Sequence, residues 1–369
     1  GKVDPSANAE RLDPAERHLV PSIIASARRI IDDTQQVSGP LYRRDAHAKA
    51  HGCVTATFTV RDDLPAAMRA GVFVPGKQYQ AWVRFSNGNG APRPDDERDA
   101  RGMAIKLMGV DGPRLLDPPA DRGARTQDFL MIDFPVFFNR DPAEYERFIR
   151  FQAADEQLRY FLPGPDPFEW RWRELVDGKR MLGRIESPLA ARYFSITSFA
   201  LGVDEASAER PLPYRRAMKY SARSCGTPKA GMSSKKGPDF LRDRLAKQLE
   251  DADGCFVFMV QLQAPDRGMP VEDPTVRWKE SQSPFVPVAD IRIPRQRFDT
   301  PARNAFCERL SFNPWHGVQA HRPLGGLNRI RKTVYEEIAV YRHAMNGDDD
   351  WREPTGWCVD EKGKPCDPR

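Results

Sequence analysis

The chain of 369 residues has six cysteines, Cys53, Cys225, Cys255, Cys307, Cys358 and Cys366, and none forms a Cys-x-x-Cys pair. That absence sets aside a structural zinc site. No apolar run approaches the ~18–20 residues that a membrane-crossing helix needs. No charge sign dominates: 57 basic against 52 acidic residues leave a net of +5, too balanced for a nucleic-acid surface. No internal repeat is seen, and no secretory signal is visible in a sequence that starts at Gly1, which says nothing of a leader removed before it. A disulfide scaffold is not the default at this length, so reduced cytoplasmic thiols are the expectation, with Cys358 and Cys366 spaced to close a small tail loop. What the sequence does hold is core-forming material. Hydrophobic residues make up 40%, and 33 prolines with 26 glycines mark frequent breaks between elements.

The apolar pattern changes along the chain. Over 15–37, Leu19, Val20, Ile23, Ile24, Ala27, Ile30 and Ile31 recur at helical spacing, giving one apolar stripe. Packing of that stripe on the domain is preferred to a partner subunit or a membrane surface. From residue 53 the pattern favours strands at 53–60, 79–86, 102–109, 127–132, 194–202, 213–221, 255–263 and 287–293, rich in Val, Ile, Phe and Thr and bounded by Gly, Pro and Asp. Eight such strands suffice to close an antiparallel barrel without exposed edges. Helices are expected at 141–154, opened by Asp141-Pro142, at 166–176, at 237–250, and near 325–345 after Gly325-Gly326. The fold class is therefore α+β, an eight-stranded antiparallel barrel with surrounding helices. Residues 1–40 form an arm, 41–346 the barrel domain, and 347–369 an irregular tail.

Three groups of residues carry possible chemistry. On the last helix, Arg331, Tyr335 and Arg342 are offset by four and seven and share nearly one face. A phenol ionises near pH ~10, so a tyrosine that binds ferric iron as phenolate needs a cation beside its oxygen, and Arg331 is spaced for that. Arg342 is placed for a carboxylate further along the face. The second group, Arg44 to Gly52, sets His47 and His51 just before the first barrel strand, where a histidine serves as general base; zinc binding by the pair lacks a third ligand. The third comprises Val83-Arg84-Phe85-Ser86, Arg98-Asp99-Ala100-Arg101-Gly102 and Asp133 to Asp141. Arginines at strand ends beside phenylalanines suit a flat, apolar ligand with carboxylate tails. Asn87-Gly88-Asn89-Gly90 looks like a turn rather than a phosphate cradle, because it opens no helix.

In order and spacing, Arg-x-x-His-Ala-Lys, Val-Arg-Phe-Ser, Arg-Asp-x-Arg-Gly, Pro-x-Phe-Phe-x-Arg-Asp and the late Arg-x-x-x-Tyr resemble the catalase superfamily over roughly residues 44–346. The short length, together with Phe312 to His316 and His321 to Gly326, is similar to its small catalase-related branch. The resemblance implies haem b (iron protoporphyrin IX) with Tyr335 as iron ligand and Arg331 as its charge partner. It implies His47 as distal acid–base group, Ser86 beside it, and Arg44, Arg84 and Arg342 on the propionates. Phe148 is implied as a ring stacking on the distal side. Two positions depart from the pattern. His51 stands where the family has a small residue and the following strand is one residue long, which keeps His51 as reserve base. Asp133 stands at the distal asparagine and offers an acceptor in place of an amide donor. His316 and His321 are taken as braces for the last helix.

The function implied is a peroxidase or an enzyme converting organic or fatty-acid hydroperoxides, including lyase or dehydratase chemistry. Hydrogen peroxide dismutation, and a non-enzymatic haem carrier or sensor, stand as alternatives. A small peroxide is the expected partner, with neither nucleic acid nor membrane, and the arms offer a route to a homo-oligomer.

Overall fold

Alternation along the strands decides the architecture. The structure, a computed structural model, describes residues 3–118, 123–226, 236–348 and 351–367. Strands β1 (Ala50–Val60), β2 (Gln78–Asn87), β3 (Arg101–Met108), β4 (Thr126–Ile132), β5 (Arg192–Phe194), β7 (Ala217–Ser224), β8 (Gly254–Leu262) and β9 (Phe285–Ile293) pair antiparallel, and the β7–β8 and β1–β9 pairings close them into a ring of eight. Two short strands, β6 (Ser198–Ala200) and β10 (Pro323–Leu324), extend from the flank of β7. Every second residue points inward: Val54, Ala56 and Phe58 on β1, Val83 and Phe85 on β2, Met103 and Ile105 on β3 are fully buried. Phe58, Phe129, Tyr220 and Phe258 pack with ring centroids 4.8–6.3 Å apart, so the interior is filled, not hollow. Each such ring contributes roughly 1.5–3 kcal/mol by leaving water.

The expected strands 194–202 and 213–221 are corrected. Ile196 adopts φ 56°, which breaks the first into β5 and β6. Pro211 and Pro213 lack ladder donors, and the second makes a lone bridge at Tyr214 and becomes a strand only from Ala217. The helix expected at 166–176 begins at Trp172, after a turn around Pro167. Helices α3 (Gln157–Phe161) and α6 (Pro301–Arg309) were not foreseen.

The apolar stripe of α1 (Val20–Ser38) packs within the chain. Ile23, Ala27, Ile30 and Ile31 meet Ile149 and Ala153 of α2 (Pro142–Ala153) and Leu327, Ile330, Val334 and Ile338 of α7 (Gly326–Met345). The N-terminus of α7 receives carboxylates: Glu10 and Glu272 accept from the backbone N–H groups of Gly325 and Gly326, which the helix dipole favours. A methyl group on Gly326 would come within 2.8 Å of Glu16 and 2.9 Å of Pro142, so only glycine fits there. The remaining helices are α4 (Trp172–Met181) and α5 (Phe240–Asp251).

The cysteines correct the expectation of reduced thiols. Cys53–Cys307, Cys225–Cys255 and Cys358–Cys366 are disulfides, and none is free. The first ties α6 to β1. The tail is held too, for Glu353 lies 2.6 Å from Lys106 on the outer wall of β3. No helix among the described residues is long and apolar enough to cross a membrane.

Candidate functional site

Strand register assembles one end of the barrel. Ala50 faces Ser86, and Ser86 faces Gly102, so three neighbouring strands end side by side. The loop entering β1 folds His47 across this end with φ 56°, a conformation costly for a side-chain-bearing residue. Hydrogen bonds over-determine it. His47 N donates to Gly88 O, Ala48 N donates to Asn89 O, and Arg84 Nη2 donates to His47 O at 2.7 Å. The ring sits with Nδ1 3.0 Å from Ser86 Oγ. A methyl group at Gly102 would lie 2.6 Å from both of those atoms, so glycine there makes room for the pair. Burial, then the positive charges of Arg84, Arg44 and Arg331, push His47 down to about 4. The imidazole is therefore neutral near neutral pH and able to accept a proton.

His51 is elsewhere in character. The β1–β2 register shifts between Ala50 and Gly52, and His51 is the bulged residue that absorbs the extra length. Its Nε2 lies 2.9 Å from Asn87 Oδ1, inside a buried network in which Asp95 also takes Lys49 and Asn87. The ring is 1% exposed. The structure makes it a structural histidine of the barrel wall, not the reserve base.

Four guanidiniums gather beyond His47. Glu308 lies 3.3 Å from Arg43 and 3.8 Å from Arg44, and its backbone carbonyl accepts from Arg342. Burial lowers Arg84 well below its usual range, with Arg44 the next cause. Arg342 falls to about 9 for the same two reasons. Such mutual repulsion marks positive charge in excess. Against Arg43, Arg44, Arg84 and Arg342 stand Glu308 and Asp45, and burial raises Asp45 to about 6. Arg44 Nη1, Arg84 Nε and Arg43 Nε are buried with no hydrogen-bond partner. Donors and charge left over in this way fit a ligand bearing two carboxylates. A cavity of about 480 Å³ opens beside the cluster. Arg43, Glu308 and Arg342 belong to its wall, while His47 and Tyr335 do not.

Tyr335 enters from α7. Arg331 Nη2 donates to Tyr335 Oη at 2.9 Å, and Arg331 Nη1 donates to Asn328 Oδ1 at 3.0 Å. Asn328 is itself pinned, its side-chain amide donating to Ser198 O and Leu324 O and its backbone carbonyl accepting from Trp315 Nε1. Three residues on successive turns thus aim one phenolic oxygen at one guanidinium. Tyr145 and Tyr220 lie within the electrostatic reach of Arg331 and Tyr335, and His47 lies within that of Arg331. His47 and Tyr335 are both half-buried.

Asp133 lies just past β4, its Oδ1 accepting from Arg101 N at 2.7 Å. Burial raises it to about 6. Phe148 sits in an aromatic cluster, 4.6 Å from Phe138 and 5.4 Å from Tyr160 between centroids. Phe137 joins this cluster to the group around Tyr335 and Tyr145. His316 contacts Asp128 and Glu353, and His321 Nε2 accepts from Val72 N at 3.0 Å. Both brace the segment leading to α7. Among the described residues no group of three His, Cys, Asp or Glu side chains is arranged to hold a metal ion. Sequence reasoning missed Glu308, Asn328 and Tyr145, and it named Gly102 only as part of a motif without its role beneath His47. The only signal was for Asn328, three residues before Arg331 on the helix.

A family model described as Catalase matches residues 39–170. Catalase A of Pseudomonas putida is 25% identical over 321 residues, covering 82% of this chain and 62% of that protein. The catalase-related peroxidase of Mycolicibacterium paratuberculosis is 28% identical over 253 residues, 65% of this chain and 71% of that protein. Catalase A from Saccharomyces cerevisiae superposes with a TM-score of 0.60 at 18% identity, covering 86% of this chain and 65% of that one. The chain spans under two thirds of the length of the catalases it matches.

Proposed function

The chain belongs to the catalase superfamily, and on that premise we propose that it is a haem-dependent enzyme acting on peroxides, with organic hydroperoxides as its substrate class. The observation that carries the reading is the Arg331–Tyr335 hydrogen bond set on the same helix as Arg342 of the arginine cluster. Tyr335 would bind the iron as phenolate, its negative charge balanced by Arg331. Arg44, Arg84 and Arg342 would hold the two propionates, which would give the orphaned nitrogens of Arg44 and Arg84 their partners. When bound, the haem supplies the redox chemistry that breaks the O–O bond.

The protein's share is acid–base work and placement. His47 is neutral near neutral pH and accepts the hydroperoxide proton at Nε2 while Ser86 holds the ring through Nδ1. Its strained backbone and the glycine floor at Gly102 fix the direction of that nitrogen. Asp133 supports organic hydroperoxides over dismutation, for its oxygen is committed to the Arg101 backbone and supplies no amide donor. The Phe134, Phe137, Phe138 and Phe148 cluster supplies an apolar wall for an alkyl group. The similar catalase-related peroxidase also favours this reading. The three disulfides support an oxidising compartment in place of the cytoplasm.

Absorption spectroscopy tests the proposal. Purified protein supplemented with haem should show a Soret band that is lost or shifted in Tyr335→Phe and unchanged in His47→Gln. The latter should lose hydroperoxide cleavage by about a hundredfold or more. Protein that stays colourless with haem, or a Tyr335→Phe spectrum identical to the parent, would overturn it. Oxygen evolution from hydrogen peroxide with little response to organic hydroperoxides would replace the substrate class.

A further inference from the structure

Segment 157–182 carries an apolar surface that nothing among the described residues covers. Phe168 is 98% exposed at the tip of a turn between Pro167 and Trp170. Trp172 is 49% exposed, and its Nε1 donates to Pro167 O, which lays the indole against that turn. One turn on, Val176 continues the outward face of α4. A surface helix normally turns polar side chains outward. Here the opposite face is already satisfied, for Met181 packs with Phe138, and Gly178 lies against Phe161 and Phe138. The outer face therefore has no role in the core.

The same face ends in Lys179 and Arg180. Both are exposed, and neither meets a carboxylate among the described residues, since Glu174 and Asp177 are taken by Arg173. Phe168 projects between the exposed carboxylates of Asp166 and Glu169, so its ring alone is offered for insertion, while the indole of Trp172 suits the interface and the cations Lys179 and Arg180 suit anionic headgroups. A fully projecting Phe168 suits a deformable surface better than a flat protein interface.

We propose that the 168–180 face docks on anionic lipid membranes, with Phe168 and Trp172 inserted and Lys179 and Arg180 on the headgroups. The docking would set the aromatic cluster beneath α4 toward the bilayer. The proposal does not depend on haem or on peroxide chemistry, and its test reads binding alone.

Flotation of the full chain with phosphatidylcholine vesicles, with and without phosphatidylglycerol, decides it. The parent protein should float with the mixed vesicles and less with phosphatidylcholine alone. Phe168→Ser with Trp172→Ser should weaken flotation by about tenfold or more, because exposed rings contribute to binding and little to folding. Circular dichroism confirms that this variant is folded. Lys179→Gln with Arg180→Gln should remove only the phosphatidylglycerol-dependent part, as should high salt. Absence of flotation, or flotation indifferent to the aromatic substitutions, would overturn the proposal. So would a dimer seen by light scattering that dissociates in the aromatic variant without any vesicle binding.

Discussion

Raising the pH from about 6.5 to about 9 should release one buried interaction whose size follows from the structure. Lys106, Asp128, His316 and Glu353 form a closed ionic group on the outer wall of β3 and β4. Lys106 lies 2.7 Å from Asp128 and 2.6 Å from Glu353, and His316 Nδ1 lies 3.0 Å from Glu353 and 3.3 Å from Asp128. Burial alone would lower His316, but attraction to Glu353 and the close approach of both carboxylates outweigh it and raise the imidazole to about 8. The unfolded chain releases that proton near ~6.5. The folded state thus holds the extra proton between these values, and the stability it confers, complete below the unfolded value, is lost as pH rises through about 8. An interval of about one and a half pH units is worth about 2 kcal/mol.

The net profile of the parent protein will hide much of this loss. Burial lowers Lys219 to about 7, so above that pH the unfolded chain binds the additional proton and stability rises in the same window. The comparison that isolates His316 is with His316→Gln. Urea unfolding, followed by tryptophan fluorescence with the disulfides intact, should show a destabilisation by this substitution that is about 2 kcal/mol larger at about pH 6.5 than at about pH 9. An equal destabilisation at both pH values would refute the assignment of a protonated His316 to the buried group.

Gly102→Ala should push His47 off Ser86, because the added methyl meets both rim atoms at 2.6 Å. Haem content should hold while hydroperoxide turnover falls by about tenfold or more, and unchanged turnover would remove the glycine floor from the argument. Cys53→Ser with Cys307→Ser opens a link between residues 254 apart and should cost about 2–5 kcal/mol in urea unfolding, with α6 and Glu308 freed from the arginine cluster.

Local patterns reveal a good deal of this molecule, because they depend only on period and composition. The alternation in Val54, Ala56 and Phe58, repeated over eight segments, is enough to imply a barrel, since a strand set with one apolar face must close or be covered. The spacing of Arg331, Tyr335 and Arg342 puts them on one helix face wherever that helix lies. Long-range placement is a different matter. Glu308 beside Arg43 and Arg44, Glu353 beside Lys106, and the Cys53–Cys307 bond join residues separated by hundreds of positions, and no periodicity relates them. His51 illustrates the limit within a single motif. Its spacing from His47 is the same whether it faces the site or the wall, and only a bulge in the β1–β2 ladder turned it toward Asn87 and Asp95. Closure of the barrel decided which polar groups were paired in the interior and which were left for a ligand.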